Sequence, residues 1–186
     1  MKRAFDFSMA LMAMLLFFPL MILVALAVRL TSPGPALYWS NRVGRHNQLF
    51  GMPKFRTMRT DTPAVATHLL QNPDSFLTPI GSFLRKTSLD ELPQLWSILC
   101  GDMSIVGPRP ALFNQHDLIA LRTQHGVDQI APGLTGWAQI NGRDELAIPD
   151  KVAFDVEYLQ RQSFWFDLQI IVLTVVRVLR RDAVSH

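Results

Sequence analysis

Cysteine is almost absent. Cys100 is the single thiol of the 186-residue chain, which excludes an internal disulfide and fits a reducing compartment in which the residue behaves as a small apolar side chain. Clustered histidine is missing too: His46, His68, His116, His125 and His186 show neither HExxH nor paired spacing, so zinc chemistry has no support. No Walker-type glycine loop appears, no nucleophile elbow surrounds Ser88, and no nucleic-acid-binding motif, internal repeat or low-complexity tract is present. ATP-driven chemistry, serine hydrolysis and nucleic-acid binding drop out.

Acidic residues are scarce where basic ones gather. Residues 1 to 60 carry Lys2, Arg3, Arg29, Arg42, Arg45, Lys54, Arg56 and Arg59 against Asp6 alone, although the whole chain is only +3. A basic end next to an apolar run suits an anionic membrane surface or anionic substrates. That run, residues 4 to 28, is polar only at Asp6 and Ser8 and would reach roughly 38 Å as one helix. Cations flank both of its ends, so charge gives no orientation, and Pro19 lies inside it. Two alternatives stay open: a break near Pro19 that returns the chain to the same face as a re-entrant helix-break-helix, or a Pro-kinked span. No small-residue cleavage site follows, which argues against a signal peptide.

The length accommodates one catalytic unit with an appendage. The expected architecture is α+β and predominantly α, a monotopic membrane protein: a re-entrant helix-break-helix over 1–30 with its break near Pro19, then a cytoplasmic-face catalytic domain over 31–186 with interfacial amphipathic helices and a small β element around 36–58. Turns are expected at Gly44 and at Gly51-Met52-Pro53, and Lys54 and Arg56 would share a face if residues 54–59 form a strand. Helices are expected near 64–70, over 80–86, 93–100 and 111–126, and from Pro149 to about Arg161. Turns divide 131–143. Ser163 caps a last helix whose apolar body is too short to span and reads as buried or interfacial, with Arg177, Arg180 and Arg181 near its end.

The most informative stretch is 85–110, RKTSLDELPQLWSILCGDMSIVGPRP, which sets Asp90 and Glu91 between cations. Ser88 to Glu91 reads as a capping box, but Pro93 would then disturb the ladder at the fifth helical position, so the helix can instead begin at Pro93. In both versions the carboxylates stand at a helix N-terminus, where the dipole holds them ionised, ready to bind a cation or attack an electrophile.

Phe55-Arg56-Thr57-Met58, Thr87 to Gln94 (TSLDELPQ), Gly107-Pro108-Arg109-Pro110, Pro132 to Trp137 (PGLTGW) and Asn141-Gly142-Arg143, in this order, resemble the bacterial sugar transferase family, the monotopic phosphoglycosyl transferases. The apolar run interrupted by proline and the Ser163 to Leu168 segment extend the likeness over nearly the whole chain, which looks like the short form of the family, a catalytic core with its membrane anchor. The resemblance implies transfer of a sugar 1-phosphate from a UDP-sugar to polyprenyl (undecaprenyl) phosphate at the cytoplasmic face of the bacterial inner membrane, with Mg²⁺ and release of UMP, initiating glycan assembly for downstream glycosyltransferases. It implies a two-step route in which Asp90 attacks the β-phosphate and the lipid phosphate then displaces the aspartyl-phosphosugar. Glu91 is then a Mg²⁺ ligand beside Asp90 or orients it. Arg109, stiffened by Pro108 and Pro110, is the leading candidate for bidentate phosphate binding. Arg85, Lys54, Arg56, Arg143, Asp155 and Tyr158 are further candidates for phosphate or nucleotide contact, against bland readings as surface cations, loop supports or solvated side chains. An N-acetylated amino sugar is the expected donor, with UDP-galactose or UDP-glucose as the alternative; a Mg²⁺-dependent UDP-sugar hydrolase and a non-enzymatic membrane scaffold, in which Asp90 is only a cap, are more distant.

Overall fold

The computed structural model describes residues 1–62, 72–142 and 146–180. It is mostly helical with a small β element, as expected. The N-terminal helix α1 (Lys2–Thr31) is continuous through Pro19. The expected interruption of secondary structure is absent: Pro19 deletes one N–H bond, while the Leu, Met and Ala residues on both sides are strong helix formers that carry the helix through it.

Both ends of α1 are fastened to the same body. At its start Lys2 Nζ lies 2.6 Å from Asp167 Oδ2, and Arg3 donates to the carbonyls of Ile98 and Leu99. Asp6, the lone acid of this region, is buried and accepts from Ser104 Oγ at 2.8 Å and from the Ile105 N–H at 3.2 Å. At its end Val24 and Val28 pack with Phe55 and Leu84. Between these anchors Leu11, Met12, Leu15, Leu16, Phe18, Ile22, Leu23 and Leu26 are exposed. A contiguous apolar strip of this kind marks a membrane or protein contact.

Strands β1 (Leu37–Val43) and β2 (Leu49–Phe55) form an antiparallel hairpin around Gly44. Gly51-Met52-Pro53 is not a turn but the middle of β2. Pro53 is tolerated because β2 is an edge strand, paired on one side only with β1. Helices α2 (Gly81–Lys86) and α3 (Gln94–Cys100) follow, and Gly101, at φ +99°, ends α3. Cys100 is exposed there rather than buried. The expected helix over 111–126 is shorter, because Ala111 and Leu112 form β4 against β1, leaving α4 as His116–Gln124.

Strand β3 (Ser104–Val106) pairs in parallel with β5 (Gly133–Thr135), so residues 131–143 are not only turns: β5 runs directly into the short α5 (Trp137–Ile140). Glycine is required at this crossing, since a Cβ on Gly133 would lie 2.1 Å from the Gly107 nitrogen. Helix α6 (Ile148–Arg161) starts beside Pro149, and Ser163 Oγ accepts from the Phe166 N–H at the start of α7 (Phe164–Arg180). Phe166 and Ile170 join Ala10, Leu95, Ile98 and Ile105 in the main core, while Trp165, Val172, Val175 and Val178 are exposed on the opposite side of α7. Phe164 meets Phe5 edge-on at 5.3 Å, bringing the apolar exteriors of α1 and α7 together. The expected helix near 64–70 lies outside the described residues, as do Arg143 and Arg181.

Candidate active site

The Asp-Glu pair sits in a 3-10 turn, Leu89–Glu91, between α2 and α3. Ser88 enters this turn at φ +56° and makes no capping bond, so the capping box is not formed; α3 begins beyond Pro93, whose ring is harmless in a first turn. The scaffold reading thereby loses its cap.

Asp90 is 8 % exposed, and its side chain makes no hydrogen bond among the described residues. Burial pushes its carboxyl up to about 6; Glu91 adds to the rise, while Lys54, Arg85 and Arg109 pull the other way. Desolvation rather than a helix dipole is therefore the largest influence on the Asp90 carboxyl, which is ionised less readily than expected. Near neutral pH the group is a desolvated carboxylate surrounded by cations, a state in which a weak oxygen nucleophile becomes effective.

Three elements bring the cations in. Lys54, on β2 opposite Tyr38, donates to Glu91 Oε1 at 2.9 Å. Arg109, in the loop after β3, reaches the same oxygen at 3.3 Å. Arg85, on α2, donates from Nε to the buried Thr57 hydroxyl at 3.0 Å; burial lowers its pKa, opposed by Asp90 and Asp74.

The remaining candidates stand elsewhere. Arg56 does not share a site with Lys54: it is buried, donating to Pro35 O at 2.8 Å, Ser32 Oγ at 2.8 Å and Ser32 O at 2.9 Å, and so clamps the exit of α1. Tyr158 faces neither the carboxylates nor solvent. Its hydroxyl lies 2.7 Å from Asp167 Oδ1 and 3.0 Å from Val106 O, and burial raises its pKa far above the tyrosine range. Asp155 is 2 % exposed and receives two bonds from Arg122, at 2.9 and 2.7 Å. Sequence reasoning missed Arg122. The available signal was a cation four residues after Leu118 on the buried face of α4.

The donor set fits a magnesium ion: hard oxygen ligands from adjacent carboxylates, the one or two that this cation takes before water and phosphate complete its shell. Among the described residues no cluster of three or more metal-ligating side chains competes with it.

The sequence model described as bacterial sugar transferase matches residues 1–181. The chain belongs to the bacterial sugar transferase family. Within this family it is 42% identical over 185 residues to the UDP-glucose:undecaprenyl-phosphate glucose-1-phosphate transferase of Escherichia coli (strain K12), covering 95% of this chain and 40% of that protein. It is 38% identical to the undecaprenyl-phosphate galactose phosphotransferase of Salmonella typhimurium, covering 98% and 41%, and 39% identical to the exopolysaccharide production protein ExoY of Rhizobium meliloti, covering 95% and 84%. The chain thus spans well under half of the first two sugar transferases and most of the third.

Proposed function

We propose that the chain transfers a hexose 1-phosphate from a UDP-sugar to undecaprenyl phosphate. The observation that carries this reading is Asp90: buried, without a side-chain hydrogen bond among the described residues, and inside the field of Lys54, Arg85 and Arg109. The Asp90 carboxylate attacks the β-phosphorus, the bond to the bridging oxygen breaks, and UMP departs with the electron pair. An oxygen of the lipid phosphate then attacks the same phosphorus, and the aspartyl oxygen–phosphorus bond breaks to restore the carboxylate. Arg109 and Lys54 hold phosphate oxygens, and Glu91, which both contact, fixes their spacing. Asp90 and Glu91 would hold Mg²⁺, which when bound neutralises charge on the donor diphosphate.

Relatives named for glucose and galactose favour UDP-glucose or UDP-galactose as donor over the N-acetylated amino sugar expected from the motifs. The membrane arrangement is a monotopic one, with both ends of α1 on the cytoplasmic face. This is supported by the fastening of Lys2, Arg3 and Asp6 at one end and of Ser32 at the other to one body. The test is UMP release by the purified protein with Mg²⁺, polyprenyl phosphate and UDP-glucose, UDP-galactose or UDP-N-acetylglucosamine, beside Asp90→Asn. Acceptor-dependent release from one hexose donor, lost in the variant, is the expected result; equal release without acceptor would turn the reading into a hydrolase.

A further inference from the structure

The loop that carries Arg109 is held by its backbone in an unusual way. Pro108 and Pro110 have no N–H, so the loop has few donors with which to close on itself. Its three consecutive carbonyls are instead captured from three different elements: Pro108 O by the Gly133 N–H at 2.8 Å, Arg109 O by Arg122 Nη1 at 2.8 Å, and Pro110 O by Arg42 Nη1 at 3.1 Å.

Of these anchors Arg122 is the most demanding. It is 8 % exposed, and a buried guanidinium requires a counter-charge; Asp155, on α6, supplies it through Nε and Nη2. That fork-shaped engagement fixes the guanidinium plane and aims the remaining nitrogen, Nη1, at the carbonyl of Arg109 itself. We propose that Arg122, oriented by Asp155, is a positioning residue that sets where the Arg109 guanidinium meets the substrate phosphate. The inference rests on the phosphate-transfer reading above. Asp155 thereby serves the site from behind, two residues removed from the phosphate, rather than by touching the nucleotide. A fixed backbone matters here because the Arg109 side chain is long and more than a third exposed, so its reach depends on where its Cα is held.

The experiment is a double-mutant cycle on kcat and donor KM for UMP release, using the full chain in detergent with its Mg²⁺, preferred UDP-sugar and polyprenyl phosphate. Arg122→Lys keeps the charge opposite Asp155 but lacks the planar fork that serves both partners. It should lower kcat/KM about tenfold while the thermal unfolding midpoint stays near that of the parent. In an Arg109→Ala background the same substitution should cost less than about twofold, because the group it positions is gone. A tenfold loss that persists without Arg109 would overturn the proposal, as would the absence of a loss in the parent. If Arg122→Lys does not fold, Asp155→Asn, which retains an oxygen to receive the guanidinium, takes its place in the cycle with the same two outcomes. A parent that releases no UMP from any UDP-sugar would refute the transferase reading, and the positioning role with it, whereas an active parent with additive losses refutes the positioning role alone.

Discussion

Asp90→Asn should inactivate the protein and stabilise it. In the fold the Asp90 carboxyl titrates at about 6, against 3.8 for the unhindered group, with burial the main cause. The folded state therefore binds the proton more tightly than the unfolded chain. The contribution of Asp90 to stability is greatest below about pH 4, falls as pH rises through the interval between the two values, and carries the whole penalty above about 6. About two units at 1.36 kcal/mol each give a penalty of about 3 kcal/mol at neutral pH. Asparagine has no charge to desolvate and escapes it. The cleanest measure is differential: the stability gap between variant and parent, from urea unfolding in micelles followed by tryptophan fluorescence, should open in the variant's favour by about 3 kcal/mol between pH 4 and pH 7. Terms belonging to the amide itself cancel in that comparison. A gap that does not change with pH refutes the argument, and a variant less stable than the parent at pH 7 would mean that the carboxylate is a structural cap after all.

Three further outcomes follow from the same contacts. In the proposed transfer only the ionised carboxylate attacks, so kcat/KM should fall on the acid side through about pH 6, and Lys54→Met, which removes a cation that favours ionisation, should move that limb to higher pH; an unmoved limb would exclude Lys54 from the field at Asp90. Tyr158→Phe should cost about 1 kcal/mol of stability through the lost hydroxyl contact and leave donor KM unchanged; a raised KM would return Tyr158 to the substrate site. Asp6→Ala strips the buried Ile105 N–H of its acceptor and leaves the Ser104 hydroxyl only the Val106 carbonyl, and should destabilise by about 2 kcal/mol in a chemical-denaturation assay, whereas a loss within error would show that the start of α1 is not anchored there.

What could be read in the residues was what depends on neighbours in the chain. The apolar run, the helices beginning near Pro93 and Pro149, the Ser163 cap, the hairpin around Gly44 and the adjacent carboxylates are all local, set by periodicity, capping chemistry and the backbone limits of proline and glycine. The family motifs likewise single out Asp90, Glu91 and Arg109 from the residues alone. Errors arose where a distant partner decided the outcome. Ala111 and Leu112 left a helix because β1 offered them a ladder, and Pro53 stayed in a strand because no neighbour needed its N–H. Arg56 and Tyr158 have the chemistry of substrate contacts, but tertiary packing turned one toward the exit of α1 and the other toward Asp167. The pKa of Asp90 and the pairing of Arg122 with Asp155, 33 residues apart, belong to the same class. Sequence by itself determined which groups are available; desolvation and long-range hydrogen bonding, which exist only once the chain is packed, decided which of them gather around Asp90 and Glu91 and which hold the fold.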